Sequence, residues 1–453
     1  MEFTWKKDLL LRSDLACRLY SAVEKLPLID YHNHLSLADI GENRRYTDVF
    51  DLWVAPDPYK HRAMRMCGIP EEKITGAATK AEKFAFWCAT LPKLLGNPLY
   101  IWSRMELELV FGITEMPCAE NAADLYQRCN KILKEKEITP AWFMDRFGVE
   151  KACPCVSVLD EVSALQNNPV FSPSLRGDDM LRPNASWLEK LGALTQMKIT
   201  DLASFKGAVE KRIDAVIGAG CRFADLAIDN GFVFYPDDGE NESRFRKALE
   251  GTLSAEEGEK LFSYLLVLLC GVFARCDLVL QLHMGAQRFT STRLRGLAGA
   301  AGGFAAMGNS VSISSLCALL DTVEAGEAGL PKIVLFSLNP ADDAMIATLS
   351  GSYSKDGVSG LITQGPAWCW CDHKKGMISM IENTASFGTL WNFVGMTTDS
   401  RSFLSFVRHD YFRRVLCQQL AEMVQREDLI CTEEELVALA KKLCYENAKS
   451  NWR

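Results

Sequence analysis

The sequence predicts an α/β protein, a (β/α)8 barrel of the TIM type with a long, mostly helical insertion after the first strand. Three observations carry that prediction. Eight short apolar runs suited to strands recur along the chain, with helix-like stretches between most of them. Strands that alternate with helices make a parallel sheet, and eight such units close into a barrel. The length of 453 residues exceeds one ordinary compact core but suits a barrel with insertions. Polar side chains also gather at the C-terminal ends of the runs, where barrels carry their chemistry.

In chain order, Leu9, Leu10, Leu15, Leu19, Val23 and Leu26 recur at helical spacing, so residues 6–26 read as a helix. The first strand, 28–34, follows Pro27. Residues 36–148 form the insertion, rich in Trp, Met and Lys. The remaining strands are expected at 150–156, 170–175, 221–228, 278–284, 332–338, 359–363 and 393–397. The longest apolar run, 261–274, falls short of the ~20 residues that span a bilayer and reads as a buried helix. The glycine-rich segment 296–308 lacks the order of a dinucleotide fingerprint and does not directly follow a strand, so it reads as a flexible loop. No linker or internal repeat divides the chain, and residues 1–453 read as a single domain.

Apolar content of 48% and charged content of 24% describe an ordinary globular chain. A net charge of −8 argues against a nucleic-acid partner, which calls for a basic footprint. It does not exclude an anionic small substrate, because a local arginine or metal decides that. The opening residues, 1–8, lack the apolar core of a signal peptide, and with no membrane-length run a cytoplasmic location is expected. The 16 cysteines are scattered, as in a reduced compartment. Two Cys-x-Cys pairs, Cys153/Cys155 and Cys369/Cys371, lack Cys-x-x-Cys spacing; each is a weak metal or disulfide candidate and reads rather as ordinary strand-end cysteines.

The chain has only 6 histidines, and two of them, His32 and His34, close the first strand at i, i+2 spacing. Alternate residues of a strand share a face, so both imidazoles converge. His283 ends the fifth strand and Asp399 the eighth, together with Arg401, while Arg176 follows the third. His32, His34, His283 and Asp399 make a candidate divalent-metal cage, with neutral imidazole and carboxylate donors suited to Zn²⁺, Mn²⁺ or Fe²⁺. Each residue taken alone has a plain structural role open to it: His283 a bonded core histidine, Asp399 a helix cap, Arg401 a surface charge. Their joint placement at strand ends selects the site.

Asp30-Tyr31-His32-Asn33-His34-Leu35 resembles the opening motif of the uronate (glucuronate) isomerases of the amidohydrolase superfamily. Gly96-Asn97-Pro98-Leu99-Tyr100, Gln281-Leu282-His283-Met284-Gly285-Ala286 and Leu338-Asn339-Pro340 are further family-like stretches. So are Thr398-Asp399-Ser400-Arg401-Ser402-Phe403 and Arg408-His409-Asp410-Tyr411-Phe412-Arg413-Arg414. The resemblance implies a barrel of the metal-dependent hydrolase kind that interconverts glucuronate with fructuronate and galacturonate with tagaturonate. It implies His32, His34 and Asp399 as metal ligands, with His283 ligating the metal or holding substrate. Tyr59, Arg176, Trp368 and Arg401 would line the pocket, with Zn the expected ion and Mn or Fe as alternatives. The chain departs from the family pattern at Pro58, at Cys153-Pro154-Cys155-Val156-Ser157, at Gly177-Asp178-Asp179, at Leu226, and at Ile101 and Arg104.

Aldose–ketose isomerisation moves a proton from C2 to C1 through an enediolate. A divalent metal stabilises the charge that develops. Asp399 is the most obvious candidate base, with Tyr59 or a metal-bound hydroxide as alternatives, and Arg401 lowers the cost of negative charge near either of these. Arg176 or Arg401 could clamp the uronate carboxylate through two parallel hydrogen bonds. The partner is thus a small sugar acid. Two other reactions fit the same residues, hydrolysis of a sugar-acid lactone, ester or amide and epimerisation of a related sugar acid. A homo-oligomer is compatible with the sequence, which does not decide it.

Overall fold

A computed structural model describes residues 8–452. Its strands are β1 (Leu28–Asn33), β2 (Val149–Ser157), β3 (Ser174–Arg176), β4 (Phe223–Ile228), β5 (Val279–Met284), β6 (Ala286–Gln287), β7 (Ala306–Met307), β8 (Ile333–Ser337) and β9 (Ile362–Gln364). Seven of them form one parallel sheet in the order β1-β2-β3-β4-β5-β8-β9, and β6 pairs antiparallel with β7. Parallel strands need crossovers, and helices such as Leu202–Gly218, Ala255–Arg275 and Ile313–Glu324 supply them. The sheet curls into a half-barrel whose concave face buries Ile29, Tyr31, Cys153, Phe223, Val279, Val334, Phe336 and Val394. Tyr31 of β1 stacks on Phe223 of β4 across this interior, ring centroids 5.1 Å apart.

Seven of the eight expected strands form, with shifted ends. The run at 170–175 shortens to Ser174–Arg176 with one isolated bridge at Phe171, because Pro173 has no N–H to give a ladder. The run at 393–397 is not a strand among the described residues. It lies along β1 all the same, through a bond from Asp399 N to the His32 carbonyl (3.1 Å) and one from His34 N to the Ser400 carbonyl (2.8 Å). Side chains replace the ladder between these: His32 N donates to Thr397 Oγ1 (2.9 Å) and the Tyr31 hydroxyl to the Gly395 carbonyl (2.8 Å). Positive φ at Gly395 (98°) and Asp399 (47°) breaks the extended backbone that pairing requires.

The first helix is Asp14–Val23, capped by the Ser13 hydroxyl. It starts later than the apolar spacing suggests, because Leu10 sits at φ 66°; residues 6 and 7 lie outside the described residues. The insertion is helical throughout, including Pro58–Met66, Lys80–Thr90, Pro98–Glu106 and Ala122–Glu135. The apolar run 261–274 lies within the buried Ala255–Arg275 helix, whose start is fixed by the Ser254–Glu257 capping box. Among the described residues no helix is long and apolar enough to cross a membrane. The segment 296–308 is more ordered than its glycines suggest, containing the end of the Thr292–Ala298 helix and β7.

Candidate metal and substrate site

His32 and His34 converge, but strict alternation is not the reason. Register slips between Asp30 and Asn33 of β1, so Tyr31 and His32, adjacent in sequence, both meet interior rings: Tyr31 packs on Phe223, and His32 lies 4.9 Å from His283. The His32 and His34 rings stand edge to face at 5.3 Å. Asp399 reaches both, its Oδ1 lying 3.4 Å from His32 Nε2 and 3.0 Å from His34 Nε2. The Trp368 indole N–H donates to Asp399 Oδ2 at 2.7 Å.

What holds Asp399 in a left-handed backbone is the buried Asp30 carboxylate. It accepts from Thr398 N (2.6 Å), Thr398 Oγ1 (2.7 Å), Thr397 Oγ1 (3.0 Å) and Asn33 Nδ2 (2.9 Å), with His409 Nε2 at 3.3 Å. Arg413, on the Val407–Gln425 helix, fixes the other end of β1 by donating to the carbonyls of Glu24, Leu26 and Pro27.

Asp225 is a site member that the sequence reading passed over, and Cys155 one that it took for an ordinary strand-end cysteine. Cys155 Sγ lies 3.6 Å from His32 Nδ1 and 3.8 Å from Asp225 Oδ1. One ligand atom each from His32, His34 and Cys155 lies within 4.8 Å of the others, a grouping able to hold a metal ion. The available signal was positional: a cysteine at a barrel-strand end, two residues beyond another on the same face. His283 does not join the converging atoms. Its Nδ1 stands 3.8 Å from Asp225 Oδ2, its ring stacks on Trp368 at 4.5 Å, and its Nε2 is buried with no hydrogen-bond partner among the described residues.

The protonation states follow from this packing. Burial opposes charge on His32 and His34, yet Cys155 and Asp399 raise both imidazoles above their ordinary range. Burial likewise pushes the Cys155 thiol up, and the two histidines carry it well below the usual thiol value. Asp399 is held low against its burial by its bonds to the same histidines. His283 is driven the other way, by burial and then by the charge of His32, and stays neutral. Burial, with Cys155 adding to it, pushes Asp225 up to about 7.

His32, His34, His283 and Asp399 open on a cavity of about 440 Å³ that also receives Tyr59, Arg176, Trp368 and Arg401, within the ~300–1,000 Å³ usual for small-molecule sites. Asp57 caps the Pro58–Met66 helix by accepting from Tyr59 N (2.9 Å) and Lys60 N (3.2 Å), which sets Tyr59 in the first turn. Pro58 is natural there, where no N–H is needed. The Tyr59 hydroxyl donates to Cys369 Sγ at 2.9 Å, and burial raises the phenol well above its ordinary value. Arg176 is taken by Asp178 (2.9 Å) and Asp225 (3.9 Å). Arg401 lines the same cavity with no ion-pair partner among the described residues. The 296–308 segment forms part of the wall, anchored by Arg62 to the Ala305 carbonyl (2.9 Å). Gly303 there has φ 78°, and a Cβ on it would meet the Pro58 carbonyl oxygen at 2.2 Å, so this contact admits only glycine.

A family model described as glucuronate isomerase matches residues 1–452. The chain belongs to the glucuronate isomerase family. The uronate isomerase of Bacillus subtilis is 36% identical over 464 aligned residues, covering 99% of this chain and 98% of that protein. The uronate isomerase of Haemophilus influenzae is 34% identical over 462 aligned residues, with 99% of each covered. In three dimensions the chain is similar to the crystal structure of uronate isomerase from Thermotoga maritima, with a TM-score of 0.92 and 28% identity over all of both chains. Of the residues that diverge from the family pattern, Pro58 lines the same cavity as those that match it and Cys155 belongs to its metal-compatible group.

Proposed function

We propose that the protein is a uronate isomerase that interconverts D-glucuronate with D-fructuronate and D-galacturonate with D-tagaturonate. The site depends on a divalent metal and sits at the mouth of a (β/α)8 barrel closed by the segment 393–400 along the open edge of β1. One observation carries the reading. A cluster of imidazole and carboxylate donors and an unpaired guanidinium, Arg401, line one cavity. That pairing suits a substrate with a carboxylate at one end and a carbonyl at the other.

The donor set fits a divalent ion, since the His32 and His34 Nε2 atoms both lie within 3.4 Å of one carboxylate oxygen, Asp399 Oδ1. When bound, such an ion supplies positive charge to the substrate oxygens on which negative charge gathers as the C2 proton leaves. Arg401 anchors the carboxylate through its planar fork, in preference to Arg176, whose charge is already answered by Asp178 and Asp225. His283 accepts the C2 proton at Nε2, which is buried without a hydrogen-bond partner among the described residues, and delivers it to C1, while the proton of the C2 hydroxyl passes to O1, so that C2 becomes the carbonyl and C1 the alcohol. The Tyr59 hydroxyl oxygen, its proton given to Cys369 Sγ, accepts a hydrogen bond from a substrate hydroxyl. Trp368 covers His283 and holds Asp399, so both keep their orientation and water is kept from the reacting carbons.

The test is proton NMR of the metal-loaded protein in deuterium oxide with each aldohexuronate. Ketose signals of conserved mass, with deuterium at the migrating position, are expected. Bound metal with no ketose from either substrate overturns the assignment. His283→Gln should suppress the deuterium exchange while metal content stays unchanged.

A further inference from the structure

Cys153 and Cys155 share one face of β2, two residues apart. Cys153 is buried in the apolar interior with Tyr31 and Phe223, while Cys155, one step nearer the strand end, meets the two histidines. We propose that Cys155 binds the metal through its sulfur as a thiolate, completing with His32, His34 and Asp399 a site of two nitrogens, one sulfur and one oxygen. The proposal rests on the metal reading above and names a ligand that reading does not require.

Spacing supports it. Tetrahedral zinc with bonds of about 2.0–2.3 Å holds its donor atoms about 3.3–3.7 Å apart. Here His32 Nε2 stands 3.4 Å from Asp399 Oδ1 and 3.8 Å from Cys155 Sγ, His34 Nε2 stands 3.0 Å from Asp399 Oδ1, and one donor atom each of His32, His34 and Cys155 lies within 4.8 Å of the others. Charge supports it as well. A thiolate and a carboxylate beside two neutral imidazoles offset a dication, so the filled pocket carries no net charge into a buried place. The same pocket leaves His283 Nε2 and Asp225 Oδ2 buried and without hydrogen-bond partners among the described residues, as expected of a site built around something other than protein. Sulfur is a soft donor and biases the choice toward zinc over manganese or magnesium. Zinc accepts a fifth donor, so four protein ligands do not close the site to substrate.

The test uses the full chain freed of metal and titrated with Co²⁺ in the absence of substrate. The expected spectrum has visible d–d bands together with a near-ultraviolet sulfur-to-cobalt charge-transfer band. In Cys155→Ser the charge-transfer band should vanish while the d–d bands remain, and competition with a chelator should show zinc held at least about tenfold more weakly. His32→Ala should lose both sets of bands. Visible bands without charge transfer in the unsubstituted protein refute the sulfur ligand and leave the metal reading standing, a decision that needs no variant to fold. A charge-transfer band that survives in Cys155→Ser also refutes it. Failure to bind cobalt at all refutes the metal reading, and the sulfur ligand with it.

Discussion

Replacing Asp30 by alanine removes the acceptor that ties the end of β1 to the turn carrying Asp399. Five donors converge on that fully buried carboxylate at 2.6–3.3 Å. Two of them adapt easily: the Thr397 hydroxyl already reaches the His32 carbonyl, and the Thr398 hydroxyl can rotate. The Thr398 backbone N–H cannot, and the Asn33 amide keeps only a 3.3 Å contact with the residue 30 carbonyl. Each buried donor left unsatisfied costs about 1–3 kcal/mol. Removal of the burial penalty on the carboxylate returns part of this, so Asp30→Ala should lose about 3 kcal/mol, measured by urea unfolding with an unchanged m-value. Metal content and turnover should fall further than stability does, because Asp399 is freed from its left-handed backbone. The effect carries a pH signature. Burial works against the Asp30 charge, but His409 and Thr398 hold the carboxyl below its usual value. Its contribution is therefore present above the ordinary carboxylate pKa of about 4 and is lost as the pH falls through the lowered value, and the gap to the isosteric Asp30→Asn should narrow in acid. A loss under about 1 kcal/mol in Asp30→Ala, with normal metal content, would refute the tethering argument.

Other perturbations test separate parts of the structure. Arg401→Ala should raise KM for a uronate about 10- to 100-fold with kcat little changed, as expected for loss of a charged hydrogen-bonding anchor; steady-state kinetics decides, and an equal fall in kcat would place Arg401 at the reacting carbons instead. Lys60 is 1% exposed and its Nζ lies 3.4 Å from both Asp57 and Glu106. Lys60→Met leaves two buried carboxylates without a cation and should cost about 3–5 kcal/mol in denaturant unfolding. Burial pushes the Asp343 carboxyl up to about 6. A raised folded-state value means that its contribution is full below about pH 4 and is lost as the pH rises through 6. Asp343→Asn should therefore be more stable than the parent by about 1–3 kcal/mol at pH 8 and gain nothing near pH 4; equal gains at both values would show that the charge is not the cause.

The sequence by itself determined the parallel α/β plan and the helical insertion, and singled out His32, His34, Asp399 and Arg401, which the structure brings to one cavity. Those features are written in local patterns: short apolar runs, amphipathic helices, and polar residues at or just past strand ends. Its one misplaced strand is also local in origin. The run at 393–397 is apolar enough for a strand, but hydroxyls of Thr397 and Thr398 tie it to Asp30, 367 and 368 positions away along the chain, in place of a ladder. Only the tertiary structure decided which groups complete the site. Cys155 looks like any buried cysteine until the register slip in β1 turns His32 toward β2. Arg176 and Arg401 looked interchangeable until Asp225 and Asp178 answered one of them and left the other free for a ligand. His283 has the chemistry of a ligand, and its place beside Trp368 and away from the converging donors is a matter of packing. The physical reason is common to all three. Residue type sets what a side chain can do, whereas charge balance and coordination depend on neighbours brought together from distant parts of the chain.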